Sequence, residues 1–447
     1  MLEAPKNLTG LLQQLEQQAK ENPTDNSLLK RLARLHLKNG AVSEAARVYQ
    51  KTLKADPDNA SIMIELANCH IVMKQFGEAT FLLERAQEVK PGYYAVFLTF
   101  ARLYEARKDA ESQVSFMMRA ANAAPDKAEI RLSLAELLKR YGDFSGAITQ
   151  YNILIEKNPK LEAAQFGLGS LLMRKNELGQ AMQCFRAVIR TNPGAFDAHF
   201  NLANCLFRQK KYSNALNHFR FAGRKKTLAH RALYLSAQSY LHLKDFDRAI
   251  VTMENLVSLD EENIAYQKSL AEIYSAAQDL DLAKDAYRRL ARQVPERPEF
   301  QVRFAEILVK RQELDEAQRA LDTLFRNHPG HLDGHRILGE IYFAKGIFKA
   351  AVEEFNRALM LNENHAEVYV SLGKVFAETG EIQKEYEALS RAVELGVEKS
   401  DLLLRLGQIE ARLKLPGSID RFRRISELDP CSDCALEAQY YIKHQAA

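Results

Sequence analysis

The sequence predicts an all-α solenoid, a run of about twelve helix-turn-helix units stacked one on the next. Three observations carry that reading. Prolines stand at Pro23, Pro57, Pro91, Pro125, Pro159 and Pro193, each 34 residues after the last, and the ladder resumes at Pro295 and Pro329. Two columns of small residues keep the same period, and no segment reads as a strand. A fixed period of this length outranks local signals, because a short helical unit can bury its apolar side only against its neighbour. Thr227, Glu261 and Glu363 occupy rungs where the proline is missing, and the register is expected to run through them.

When each unit starts three residues after its rung, position eight reads Ala33, Ala67, Ala101, Ala135, Gly169, Ala203, Ala237, Ala271, Ala305, Gly339, Gly373 and Gly407. Twelve positions on, a second column holds Ala45, Ala79, Ala147, Ala181, Ala215, Ala249, Ala283, Ala317 and Ala351, interrupted by Gln113, Glu385 and Ile419. Large residues flank both columns. Leu or Phe precedes most of the first, and Tyr49, Tyr151, Phe185, Phe219, Tyr287 and Phe355 follow the second by four residues. Small residues on two antiparallel helices let the backbones approach, while large neighbours one turn away fill the surrounding space.

Helix A is expected over roughly the first fourteen positions and helix B over the next fifteen. Gly40, Gly142, Gly346 and Gly380 fall in the turn between them, where a left-handed residue ends a helix. Asp56-Pro57-Asp58 is read as a turn and the start of the following helix. The last unit is one residue short, so that Phe422 takes its aromatic slot and Glu410 stands where an aromatic is usual. Terminal units need covers. Leu8, Leu11, Leu12, Leu15 and Ala19 are read as one cover, and Leu436, Tyr440 and Tyr441 against Gln439, Lys443 and His444 as the other. The organisation expected is an N-terminal capping helix over 1–25, twelve tandem repeats over 26–430 and a C-terminal capping helix over 431–447.

These columns resemble the tetratricopeptide repeat family from residue 26 to about 430. The resemblance implies a right-handed superhelix whose helix A faces line an inner groove for protein ligands. The absence of Trp departs from the family pattern: Leu29, Met63, Phe97, Tyr369 or polar residues hold its usual column.

Composition agrees with an ordered chain: of 447 residues 47% are hydrophobic and 27% charged, and no Gly/Ser or Pro tract divides the sequence. The net charge of +4 is too small for a nucleic-acid binder, but it is unevenly spread. Residues 140–226 hold fourteen Lys/Arg against five Asp/Glu, a local +9 that favours acidic partners. The five cysteines, Cys69, Cys184, Cys205, Cys431 and Cys434, make no disulfide framework, which points to a reducing compartment. With no apolar run near the roughly 18 residues of a membrane span, and no leader pattern at the start, a cytoplasmic protein is expected.

Signatures of chemistry are missing. There is no phosphate-cradling loop, no H-E-x-x-H and no nucleophile elbow. Gly167 and Gly169 lie inside a helix A, where packing explains them, and His36 and His70 share a column with Tyr104, Tyr240, Tyr274 and Tyr342. Cys431-Ser432-Asp433-Cys434 is a C-x-x-C that could form a labile disulfide, but it lacks two further ligands for a closed zinc site. No cofactor, metal or catalytic residue is assigned, and the chain is expected not to be an enzyme.

In the family, ligands lie at helix A positions two, five, nine, twelve and thirteen. Applied to this sequence, the resemblance implies a peptide-binding groove. Phe166, Phe200 and Tyr234 supply an aromatic stripe with Phe207 beside it; Ser170, Asn204 and Gln238 run between; Arg140, Arg174, Arg208 and His242 give one cation per repeat. Such a set suits an extended or helical peptide with apolar anchors and carboxylates, because guanidinium forks pair with carboxylates and amides hold peptide backbone. The alternative for the stripe is core between repeats. The carboxylate clamp of the chaperone-tail-binding subgroup is incomplete, with Arg34 where Asn is wanted after Lys30. Further along, Glu272, Glu306 and Glu340 occupy position nine, which suggests an acidic stretch of the inner surface. The function expected is a protein-interaction scaffold or adaptor. A self-assembling homo-oligomer and a thiol role for the C-x-x-C are the alternatives.

Overall fold

The computed structural model describes residues 6–22 and 25–445, with the side chains of 10–22 and 25–443. Pro23 and the side chains of Leu8 and His444 lie outside the described residues. All regular structure among the described residues is helical. The chain divides into two compact units, Met1–Ala232 and Leu233–Ala447, and the division falls inside one helix.

The first unit holds α1 (Lys6–Glu21), then α2 (Asn26–Lys38) and α3 (Val42–Ala55), α4 (Ala60–Val72) and α5 (Phe76–Val89), α6 (Tyr94–Arg107) and α7 (Ala110–Ala123). It continues with α8 (Ala128–Arg140) and α9 (Phe144–Lys157), α10 (Glu162–Arg174) and α11 (Leu178–Thr191), α12 (Phe196–Arg208) and α13 (Tyr212–Ala222), and ends within α14 (Lys226–His242). The second unit takes up α14 and adds α15 (Phe246–Leu259), α16 (Ile264–Ala276) and α17 (Leu280–Gln293), α18 (Pro298–Lys310) and α19 (Leu314–Asn327), and α20 (Leu332–Ala344) and α21 (Phe348–Leu361). The remaining helices are α22 (Ala366–Thr379) and α23 (Ile382–Glu394), α24 (Ser400–Leu413) and α25 (Ser418–Leu428), and α26 (Asp433–Gln445). Each unit is a stack of antiparallel helical hairpins, the all-α solenoid arrangement.

Both small-residue columns are buried throughout, and the aromatic residues one turn after the second column are buried with them. The close approach is tightest where the column holds glycine: a Cβ on Gly339 would come within 2.6 Å of the Phe355 ring. Gly167 owes its place to a different neighbour, since a Cβ there would run into the Tyr151 ring of the preceding hairpin.

Helix starts differ in detail from the sequence expectation. Asn59 caps α4, accepting from the Ile62 N–H at 3.2 Å, while Asp56 accepts from the Asn59 side chain at 2.7 Å. Asp109, Asp143, Asp245 and Asp279 cap helix B in their hairpins by accepting an N–H from the first turn. At Thr227 the missing proline has a visible effect. Helix α13 stops at Ala222 and α14 begins at Lys226, because without a proline nothing bars the first turn of α14 from extending backwards.

The left-handed turn residue is present in every hairpin but is a glycine in only a third of them. Gly40, Gly142, Gly346 and Gly380 have φ between 73° and 86°, whereas Lys74, Lys108, Asn176, Lys210, Lys244, Gln278, Gln312 and Lys414 adopt φ of 53° to 66° at the same position.

Among the terminal helices α1 buries Leu12, Leu15 and Ala19 and leaves Leu11 exposed. For α26 the expected face is corrected. Ala435 and Ala438 are buried, with Tyr441 and Ile442 packed beside them against Leu403, Phe422 and Ile425. Leu436 and Tyr440 point away, 61% and 58% exposed. Two alanines let α26 lie closer to α25 than leucine and tyrosine would allow. Ser418, with Gly417 at φ 112°, absorbs the missing residue of the last hairpin, and Phe422 is buried in the aromatic slot as the spacing predicts.

Candidate functional site

Helices α10 and α12 of the first unit carry most of the residues expected in the groove. Phe166 is half-buried, edge-on to Phe185 with centroids 5.8 Å apart. It lines a cavity of 630 Å³ together with Ala163, Val188, Ala195 and Phe196 and the polar Glu162, Asn192 and Asp197. The lining from α11 and from the turn before α12 belongs to no ligand column, and no periodic signal in the sequence marks it. Ser170 is half-buried and its hydroxyl donates to the Phe166 carbonyl at 2.8 Å, so its donor is spent within its own helix. Asn204 and Phe207 are half-buried, and Phe207 stands edge-on to Tyr212.

Phe200 does not join this surface. It is 2% exposed, edge-on to Phe219 at 5.8 Å, with the Arg231 guanidinium 4.6 Å from its ring centroid. Its position therefore belongs to the hairpin core, the alternative that the sequence left open for this stripe.

The cations are exposed, and each reaches back to the preceding hairpin. Arg140 stands 3.8 Å from Glu105. Arg174 lies over the Phe144 ring at 4.8 Å. Arg208 donates to the Met173 carbonyl at 3.0 Å and to the Asn176 side chain at 2.9 Å, so it ties down the end of α10 beside the left-handed Asn176. These arginines stitch neighbouring turns together while leaving the guanidinium edges open to solvent.

In the second unit Tyr234, Gln238 and His242 follow one another along α14. The Tyr234 hydroxyl is 3.3 Å from that of Ser269 on α16, and its ring is tilted against Tyr266. Gln238 is half-buried and His242 exposed. The suggested acidic stretch is largely neutralised within the unit. Arg336 lies among Glu306 at 2.9 Å, Glu340 at 2.8 Å and Asp333 at 3.4 Å, and Lys268 is 3.8 Å from Glu272.

Helix A position four holds a polar column outside the ligand positions. Gln165, His199 and His335 each bond to the carbonyl of the proline six residues earlier, at 3.2, 3.2 and 2.9 Å, and Gln267 does the same to Glu261. These bonds hold the turn between hairpins. Because a carbonyl only accepts, His199 donates through Nε2, and a neutral ring then accepts at Nδ1 from His218, 2.8 Å away. Burial, foremost, holds both imidazoles below their usual range, and Arg186 adds to the effect at His218.

His36 and His70 are buried packing residues; the Nδ1 of His70 lies 2.7 Å from the Gln75 side chain. Cys431 is exposed and Cys434 half-buried beside the terminal core, both as free thiols. No cluster of three or more His, Cys, Asp or Glu suited to a metal occurs among the described residues. Nor is any described helix long and apolar enough to cross a membrane.

No curated protein matches the chain. Solved structures similar to the chain include the following. Yeast Tom70 is 15% identical over 90% of this chain and 99% of its own, with a TM-score of 0.40. The Cut9-Hcn1 hetero-tetramer of the APC/C gives 13% over 98% and 93%, TM-score 0.41. The C-terminal part of a TPR repeat-containing protein from Cytophaga hutchinsonii gives 17% over 54% and 98%, TM-score 0.46. Family profiles described as tetratricopeptide repeat match residues 37–95, 132–194, 166–222, 230–263, 269–297 and 302–366. With more than half of its length matched in this way and its hairpins built on the expected columns, the chain belongs to the tetratricopeptide repeat family.

Proposed function

We propose that this protein is an adaptor whose helix A face, on α10 and α12, binds an extended peptide segment of a partner protein. Tetratricopeptide repeats support the broader role of protein-interaction scaffold. One observation supports the narrower reading. A cavity lined by the half-buried Phe166 and Phe196 lies on the same pair of helices as Asn204 and two exposed arginines, Arg174 and Arg208. An apolar peptide side chain would fill the cavity, Asn204 would hold backbone amides, and the arginines would pair with flanking carboxylates. Binding and release need no covalent step, so catalysis is not part of the proposal. A reducing, cytoplasmic setting is, and buried free thiols support it: burial pushes Cys69 and Cys205 up to about 11.

Affinity capture tests the reading. Partners retained by the wild-type chain should be lost with Arg174→Glu/Arg208→Glu and kept with Arg47→Glu, an exposed site on α3. Loss in both variants, or in neither, removes the groove.

Self-association is a second reading, favoured by the exposed Leu436 and Tyr440, one turn apart on α26. Light scattering that finds only monomer at micromolar concentration disposes of it.

A further inference from the structure

We propose that the outer face of α11 and α13 is a second docking surface, separate from the helix A groove, and that it takes an acidic segment of a partner protein. The two helices are unusual within this molecule. Every other helix B carries at least one Asp or Glu, whereas α11 and α13 carry none. On some other outer helices an arginine is paired with a carboxylate of its own helix, Arg288 with Asp285 at 3.3 Å, Arg357 with Glu354 at 2.7 Å and Arg391 with Glu394 at 3.0 Å, whereas among the described residues Arg47, Arg119, Arg289 and Arg319 are not. Here the pairing is missing. Arg186 and Arg190 are exposed one turn apart on α11, and the nearest polar contact of Arg190 is the Arg186 carbonyl at 3.3 Å. Arg220 on α13 meets only the Asn217 amide oxygen, at 3.4 Å, and Arg224 just beyond it lies over the Phe221 ring at 5.1 Å. Among the described residues none of the four has a carboxylate within ion-pair reach. The neighbouring Lys225 does, in Asp197 at 2.6 Å, so the local shortage of acid is specific to these arginines.

Like charges one turn apart weaken a helix, and an uncompensated cluster sets up a field that draws in acidic groups. The surroundings favour a protein over other polyanions. Gln180, Gln183, Ser213, Asn214 and Asn217 offer amides and hydroxyls suited to peptide groups. Phe185 and Phe219 are buried and Phe221 stacks on Phe196, so the two helices leave no exposed ring for a nucleobase. They expose no large apolar side chain either, which a membrane surface would need for insertion. The guanidinium pair on α11 matches carboxylates spaced one helical turn apart.

The test uses the full chain and a fluorescent alanine-rich helical peptide with Glu at i and i+4, followed by anisotropy at about 0.1 M salt, where the screening length is about 10 Å. Wild type should bind, Arg186→Glu/Arg220→Glu should weaken binding at least about ten-fold, and Arg47→Glu/Arg319→Glu, the same charge change at exposed sites on α3 and α19, should stay within about three-fold, since screened surface attraction acts locally. A peptide with Lys in place of Glu should bind the Arg186→Glu/Arg220→Glu chain better than it binds wild type. All four positions are exposed, and circular dichroism checks that each variant folds. Equal peptide binding by wild type and Arg186→Glu/Arg220→Glu overturns the proposal. So does absence of peptide binding to wild type, or preference for duplex DNA or phosphatidylserine vesicles over the peptide. The groove reading is tested through Arg174 and Arg208, so either surface can fail without the other.

Discussion

Arg405 on α24 closes a two-pronged ion pair with Glu385 on α23, Nε to Oε1 at 2.6 Å and Nη2 to Oε2 at 2.9 Å. Glu385 is 1% exposed and occupies the second small-residue column, where most hairpins carry alanine. The guanidinium fork satisfies both oxygens, which is how a carboxylate is tolerated there. Arg405→Ala leaves that charge buried and alone. The expected loss is about 2–3 kcal/mol, at the low end for such pairs because the arginine is half open to water. Glu385→Ala/Arg405→Ala should recover most of it, since alanine is what the packing elsewhere accepts. Hydrogen exchange on α23 and α24 reads the difference; equal losses in the single and double variants would show that the two residues are not coupled.

Turn residues give a second prediction. Lys210 holds φ at 60° in the position that Gly346 fills at 73°. A side chain in the left-handed region costs about 1–2 kcal/mol, and the extra freedom glycine gains in the unfolded chain offsets part of that. Lys210→Gly should therefore stabilise by about 0.5–1 kcal/mol, and Gly346→Ala should destabilise by about 1 kcal/mol. Thermal unfolding of the two variants should shift in opposite directions.

The contrast between those turns and the core explains what the sequence could tell. Ala203 and Phe219 were legible because their environment recurs every 34 residues, so the same residue types return to the same place. Lys210 was not, because a left-handed turn admits several polar residues and glycine marks only some of its copies. The face of α26 was misread for a related reason: it occurs once, and Leu436 and Tyr440 are the larger residues while Ala435 and Ala438 are the buried ones. At the candidate site, helix periodicity placed Phe166, Arg174 and Arg208 on one pair of helices. It could not show that Arg208 turns back to Met173, or that Phe200 lies in the core, since those depend on how neighbouring hairpins seat.

Packing at the columns is directly testable. Ala203 is fully buried on α12, at the crossing with α13 where Ala215 and Phe219 lie. Ala203→Leu forces the added atoms between two backbones that only small residues allow to approach, for an expected cost of about 1–3 kcal/mol. The same change at the exposed Ala163 should cost little, and similar losses at both sites would discount the crossing as the cause.

Glu410 makes the stability of the last hairpin depend on pH. It is 2% exposed, its Oε2 has no hydrogen-bond partner, and Arg421 reaches only its Oε1, at 3.4 Å. Burial, the largest influence, raises its carboxyl above the ordinary 4.5, and Arg421 opposes that rise without cancelling it. The folded chain thus holds this proton more tightly than the unfolded chain. Its contribution is fully present below the unfolded value and is lost as pH rises through the folded one. Glu410→Gln removes the charge at near-constant volume, so α24 and α25 should exchange more slowly than in wild type at pH 7, after correction for intrinsic rates. The gap should narrow towards pH 4, where Glu410 is largely protonated in both states. A gap that stays constant across that range would mean that the ionised carboxylate is not what weakens the hairpin.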